Sequence, residues 1–422
     1  MTDARQPAPT LRTAVGLPPP IEPPPATSLL GQWRRVGGPL LVLRVLGQGA
    51  EFGAFVVLAR RLGAASFGRL AVAFLICRYA GLVADWGASV RGARDVVLTG
   101  DTHGLGGLVR LRTGISLSLT AAYLVTAFAT GNGALAPLGV AIASRGMSRD
   151  WIALGQHRGH HAGLPAIVQG LTMLAAALAV HSEAGGATAV ALGYSAAGLL
   201  SIAINRLGDT AGPGSVSLNG WMLVAVLADQ VTASTDTVLL AALRDTREAG
   251  IYAAMYRIPG AWITVIGLSV VGLVPVTSRA LRDRPETLAR LRRQSVRVGA
   301  IGAAVVVATV PVAWILVPLL FGTAYESGRT ALALLLLATG VSAMAAPLHP
   351  LYIALERDRA LAAISLSAAG LNLVGNLLVI PQWGMEGAAA TTLCAQTLLL
   401  FVLWRAIARA AGARGGTAAD AD

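Results

Sequence analysis

The chain has 422 residues, of which 55% are hydrophobic and only 13% charged, with a mean hydropathy of +0.65 and a formal charge of +12. A soluble protein would carry nearly twice that charged fraction, so the composition excludes a soluble globular enzyme and requires an integral membrane protein. The positive charge is all arginine, set between long apolar runs rather than on a polar domain, which assigns it to orientation in the bilayer and not to a nucleic-acid partner.

Residues 1–36 form a tail containing LPPPIEPPP, too polar for a signal peptide and too rich in proline to fold, and read as a disordered cytoplasmic extension. Apolar runs that suit crossings of about 20 residues follow near 37–59, 66–88, 113–130, 133–150, 162–180, 186–206, 219–243, 249–278, 296–321, 329–354, 358–380 and 385–408. The expected architecture is therefore an all-α membrane protein of about twelve transmembrane helices. Residues 37–207 form a first bundle, 208–218 a cytoplasmic linker, 219–409 a second bundle, and 410–422 a disordered tail.

An internal echo supports the division. LARRLGAASFGRLAVAF from Leu58 reads against LAALRDTREAGIYAAMY from Leu240, with Leu58, Ala59, Gly68 and Ala71 falling on Leu240, Ala241, Gly250 and Ala253. Both segments end one apolar run, turn through a short polar link and start another, the pattern of a duplicated transporter half.

The links alternate in charge. One set holds Arg91, Arg94, Arg110, Arg112, Arg149, Arg158, Arg206, the cluster Arg279 to Arg297, Arg357, Arg359, Arg405, Arg409 and Arg414; the other holds only Arg60, Arg61, Arg244, Arg247 and Arg329. An excess of about four to one places the first set, and both termini, in the cytoplasm. Within RDRPETLARLRRQSVR, the spacing of Leu288, Leu291 and Val296 predicts a helix lying along the anionic inner leaflet.

Charges also fall inside the spans: Arg44 and Glu51, Arg78 and Asp85, Arg145, Asp229 and Asp236, and Arg257. Residues seven apart return to one helix face about 10 Å along the axis, so each pair is expected to point one way. Facing lipid, these groups together would cost about 20 kcal/mol, so they must face a wet interior or one another. Arginine matches phosphate bidentately and stays charged at any accessible pH, which makes Arg44, Arg78, Arg145 and Arg257 candidates for an anionic substrate. Glu51, Asp229 and Asp236 are candidates for coupling to H+ or Na+. Gln230, Thr232, Ser234 and Thr235 make the span around Asp229 a predicted cavity wall.

No cofactor or metal site is expected. His157, His160 and His161 lack a complete ligand set, no phosphate-cradling loop or nucleophile–base motif is present, and Cys77 and Cys394 sit in apolar runs as small hydrophobes.

DTVLLAALRDTREAGIYAAMYRI with VGLVPVTSRAL, LARRLGAASFGRLAVAFLICRYAGLVADWG, FGTAYESGRTALALLLLATG and LNLVGNLLVIPQWGMEGAAATTL together resemble the Wzx-type polysaccharide and O-antigen flippases, within the multidrug/oligosaccharidyl-lipid/polysaccharide (MOP) exporter superfamily. The resemblance covers about Val36 to Arg409. It implies two six-helix bundles related by a pseudo-two-fold along the membrane normal. It also implies a bacterial inner-membrane flippase, not an enzyme, that turns an undecaprenyl-pyrophosphate-linked oligosaccharide to the outer leaflet for polysaccharide or lipopolysaccharide biosynthesis. Its partners would be that lipid-linked oligosaccharide, membrane lipids, and the polymerase and glycosyltransferases of the same pathway. Lipid II flippases and multidrug exporters share the architecture. The former typically carry two further C-terminal spans, and the latter would favour carboxylates over arginines inside the membrane. A membrane glycosyltransferase or O-antigen polymerase would need a sizeable outer loop, and no link is long enough.

Overall fold

The computed structural model describes the backbone from 38 to 419, apart from 90–91, 94–95, 97–104, 157, 206–219, 284–286 and 356–357. The expected 1–36 tail and 208–218 linker lie outside the described residues. Among the described residues every regular element is helical: α1 Gly38–Asp85, α2 Gly106–Ala129, α3 Gly139–Met147, α4 Asp150–Gly155, α5 Gly159–Ala177, α6 Glu183–Ile204, α7 Gly220–Leu243, α8 Thr246–Asp283, α9 Leu288–Ala308, α10 Val310–Phe321, α11 Arg329–Ala345, α12 His349–Ala354 and α13 Asp358–Ala419.

Two of these helices are far too long for one crossing. At 48 and 62 residues, α1 and α13 exceed the roughly 20 that span a bilayer, and each breaks at a glycine, Gly63 (φ 72) and Gly384 (φ 54). Each is therefore two crossings joined by a turn. With α9 and α10 bent by 41° into one span, the crossings fall into two bundles: α1 (both limbs), α2, α3, α5 and α6, then α7, α8, α9–α10, α11 and α13 (both limbs). The turns at Gly63, Gly131, 178–182, 244–245, Gly322 and Gly384 share one end, called here the Gly63 end.

The two bundles meet through equivalent residues. A methyl on Gly68 would lie 1.8 Å from the Thr246 carbonyl oxygen, and one on Gly250 would lie 1.9 Å from that of Ala64. Both partners are displaced by the same offset that aligned the sequence echo, so the second limb of α1 and the start of α8 cross face to face as a pseudo-two-fold requires. Only glycine permits that approach, in the manner of small-residue crossings in membranes.

Other contacts seal the same end. The Tyr325 hydroxyl donates to the Ala59 carbonyl at 2.9 Å, Arg60 donates to the Leu319 carbonyl at 2.6 Å, and Phe52 meets Phe321 edge-on at 6.5 Å. Phe55, Phe67 and Leu58 share one buried core with Tyr252, Met255 and Phe321 of the other bundle.

Each bundle also pins its own last turn with an arginine from its first. Arg61 donates to the Val180 carbonyl at 3.1 Å, and Arg244 to the Pro381 carbonyl at 3.2 Å. Glu248 completes the second clamp by accepting from the Met385 N–H at 2.7 Å. Its carboxylate oxygen would sit 2.0 Å from a methyl on Gly384, so that turn needs glycine for space as well as for its dihedral.

Two expectations change. The arginine cluster near Arg290 is not a separate surface helix: Leu288 opens α9, which runs unbroken to Ala308, so Arg290, Arg292, Arg293 and Arg297 ride on the first turns of a span. The chain also continues as helix to Ala419, past the point where a disordered tail was expected to begin.

Candidate functional site

The charged residues inside the spans gather into three groups. The first lies between the bundles. Glu51 of α1 accepts hydrogen bonds from Gln48 and, across to α5, from Gln169, both at 3.3 Å. The Arg257 guanidinium of α8 stacks on the Phe55 ring of α1, 3.3 Å from its centroid, and the charges of Glu51 and Arg78 both act on it. Arg78 is exposed yet interacts with Tyr194 of α6 and with Tyr256 and Arg257 of α8. Its surroundings come from both bundles, so its exposure is to the space between them. Tyr79 beside it reaches α7, its hydroxyl 3.0 Å from the Thr235 hydroxyl.

The second group lies towards the opposite end of the first bundle. Asp85 pairs with Arg112 at 2.7 Å, and Arg112, only 3% exposed, also donates to the carbonyls of Ser148 and Arg145, both at 3.2 Å. One guanidinium thus holds the second limb of α1 and caps the last turn of α3. That cap sets Arg145, exposed in the last turn of α3, within reach of Arg44, whose charge also meets that of Asp150.

The third group is sealed inside the second bundle. Asp236 of α7 is fully buried and accepts from the Tyr252 hydroxyl of α8, from the Thr392 hydroxyl of α13 at 3.2 Å, and from the Thr237 N–H. Asn372 donates to Thr392 at 3.2 Å and accepts from Asn376 at 3.1 Å. The chain ends on the Asn376 side-chain oxygen, buried and without a partner. A buried carboxylate held by three hydrogen-bond donors and linked through Thr392 and Asn372 to an unused acceptor has the chemistry of a site that takes up a proton or small cation when its donors rearrange.

These positions correct part of the sequence reading. Members of each seven-residue pair share a helix but not a site: Arg44 faces Asp150 and Arg145 while Glu51 faces Gln169 and Arg257, and Arg78 lies between the bundles while Asp85 pairs with Arg112. A separation of about 10 Å along the axis suffices for that. Asp236 does not line a wet cavity; it lies inside the bundle. The Asp229 side chain and His157 lie outside the described residues.

Sequence reasoning passed over Arg112 as a link residue, and it missed Gln169, Tyr194, Asp150, Asn372, Asn376 and Thr392 as partners. The pair Asn372 and Asn376, one turn apart in an apolar run, was the available signal. Among the described residues none of Arg44, Arg78, Arg145 and Arg257 forms an ion pair. Nor do three or more histidine, cysteine or acidic side chains converge on a metal position there.

No protein-family profile matches the chain, and no curated protein sequence matches it. Solved structures do. An inward-facing multidrug resistance MATE family transporter of the MOP superfamily superposes with a TM-score of 0.68 at 13% identity, over 88% of this chain and 96% of that one. The chain has the MOP-superfamily transporter fold. The lipid II flippase MurJ in an inward closed conformation gives 0.65 at 11% identity, over 88% of this chain and 87% of that one. An outward-facing MATE transporter of the MOP superfamily gives only 0.53 at 13% identity, over 92% and 97%. The chain is thus arranged more like these inward-facing and inward closed structures than like this outward-facing one.

Proposed function

We propose that this chain is a Wzx-type flippase that turns an undecaprenyl-pyrophosphate-linked oligosaccharide from the inner to the outer leaflet of a bacterial cytoplasmic membrane by ion-coupled alternating access. The observation that carries the reading is that Arg257, stacked on Phe55 across the bundles, lies within range of the charge of Arg78, with neither in an ion pair among the described residues. Two like charges set near one another without a carboxylate partner repel, and a pyrophosphate would offset that repulsion on binding. Arg44 and Arg145, nearer the arginine-rich end, provide an entry point for the same group, while the polyprenyl tail stays in lipid.

The sealed Gly63 end faces out in this reading. Two arguments agree: the links at that end hold few arginines, and the closure resembles that of inward-facing relatives of the fold. Asp236 with Thr392, Asn372 and Asn376 takes the coupling ion, H+ or Na+. Its charge change repacks α7 against α8 and α13, and so resets the cavity. Glu51, bonded to Gln169 and with its charge acting on Arg257, is a second carboxylate where a bound cation would alter the contact between bundles. The inner-membrane location, the cytoplasmic termini and the pathway polymerase and glycosyltransferases as partners belong to the same proposal.

Lipid II, also a polyprenyl pyrophosphate, is the second reading, favoured by the likeness to MurJ. The test is leaflet accessibility of pyrophosphate-linked glycolipid in spheroplasts of wild type, a deletion, and Arg78→Ala with Arg257→Ala. Inner-leaflet accumulation of lipid-linked oligosaccharide in the deletion and both variants supports the proposal. Accumulation of lipid II alone selects the second reading, and normal flipping in the deletion overturns both.

A further inference from the structure

Outside the cleft, the exposed flank of α13 carries an apolar crevice of about 170 Å3, lined by Ala363, Ile364 and Ser367 of its first limb and Leu398, Leu399 and Val402 of its second. The contacts between bundles do not use this flank. On the second limb, Leu398, Val402, Arg405 and Arg409 follow one another at steps of four, three and four, which keeps them on one helix face. The crevice therefore leads along a single stripe to two guanidiniums, about 5 and 10 Å beyond Val402. Arg405 lies over the Phe401 ring at 4.4 Å, a stacking that leaves the donor edges of its fork free, and both Arg405 and Arg409 are exposed. Neither forms an ion pair among the described residues. Arg292 of α9, stacked on Trp404 at 5.7 Å, adds a third cation beside the stripe.

We propose that this flank is a seat for one anionic phospholipid, with an acyl chain in the α13 crevice and the headgroup phosphate on Arg405 and Arg409. Charge complementarity selects the occupant: an apolar slot that ends in two arginines with no carboxylate partner among the described residues, at the charge-rich end of the bundle, fits a lipid of net negative charge and gives a zwitterionic one no advantage. The seat is separate from the cleft that holds Arg78 and Arg257, so it stands whatever the transported substrate is.

The test is native mass spectrometry of the full chain released from phosphatidylcholine nanodiscs with and without phosphatidylglycerol, for wild type, Arg405→Gln with Arg409→Gln, and the crevice-filling Ala363→Phe. Wild type is expected to retain phosphatidylglycerol on the order of tenfold over phosphatidylcholine, and each variant to lose that preference while melting as the wild type does. Equal retention of the two lipids by the wild type overturns the proposal, as does an undiminished preference in the arginine variant. A preference that survives Ala363→Phe refutes the seat and leaves surface attraction only. Displacement of phosphatidylglycerol by a lower concentration of polyprenyl phosphate would replace the proposed occupant with the lipid carrier.

Discussion

Replacing Gly68 or Gly250 by alanine should open the Gly63 end. The added methyl on Gly68 would stand 1.8 Å from the Thr246 carbonyl oxygen, against the 3.4 Å at which ordinary contact begins, so the two helices must part by about 1.6 Å. The obstacle is backbone on both sides, which no rotamer change relieves. Overpacking of this kind costs about 1–3 kcal/mol, and the cost falls on the closed arrangement alone because the crossing is absent once the bundles separate. At about 1.4 kcal/mol per factor of ten, the ratio of closed to open should drop roughly ten- to hundredfold. Spin labels at the exposed, pseudo-equivalent positions Ala65 and Arg247, in a background with Cys394 replaced by alanine, would report the separation by double electron–electron resonance. Gly260→Ala on the same helix α8 is the control, since a methyl there meets nothing within 4 Å. The reasoning is refuted if Gly68→Ala and Gly250→Ala fold normally and leave the Ala65–Arg247 distance distribution where the Gly260→Ala control has it.

Truncating Arg78 or Arg257 to alanine should weaken binding of a soluble polyprenyl pyrophosphate analogue about ten- to hundredfold by titration calorimetry, the loss of one charge-assisted contact at about 1.5–3 kcal/mol. Arg257→Lys should recover only part of it, because an ammonium cannot reproduce both the stacking on Phe55 and the bidentate fork. Asp236→Asn should keep the Thr392 contact and the fold but remove the dependence of vesicle transport on its driving cation gradient; full cation dependence in that variant would exclude Asp236 as the coupling site. Arg112→Ala leaves the half-buried Asp85 carboxylate without its cation and removes the cap on α3, and should cost about 1–3 kcal/mol of stability, seen as a lower melting temperature in detergent, whereas Asp85→Leu with Arg112→Leu should recover part of it.

Crossings and the duplicated plan were legible because they rest on quantities a sequence carries directly: run length, apolarity and the echo that sets Gly68 on Gly250. The grouping of charges was not. Helical spacing fixes the face on which Arg44 and Glu51 lie, but the partner met at each level depends on how α1 packs against α5, α8 and the end of α3, which no single segment contains. Arg112 shows the same limit. It sits in the first turns of α2, where an arginine reads as a cytoplasmic anchor, and only the fold shows that it spans Asp85 and the carbonyls of Arg145 and Ser148.

The minority arginines show the same limit. Arg60, Arg61, Arg244 and Arg329 stand against the charge asymmetry when arginines are merely counted. In the structure Arg60 binds the Leu319 carbonyl, Arg61 that of Val180, Arg244 that of Pro381 together with Glu248, and Arg329 pairs with Glu326 at 3.4 Å. Each has a local task in closing the Gly63 end or pinning a turn, so its presence there follows from packing and not from orientation. Of the arginines counted against the asymmetry, these four each have a contact at that end, although Arg60, Arg61 and Arg244 remain exposed, as do Arg405 and Arg409 at the other end. An orientation rule that discounts charges bound to carbonyls would leave Arg60, Arg61 and Arg244 out of the count, so their presence at the Gly63 end does not argue against the proposed orientation.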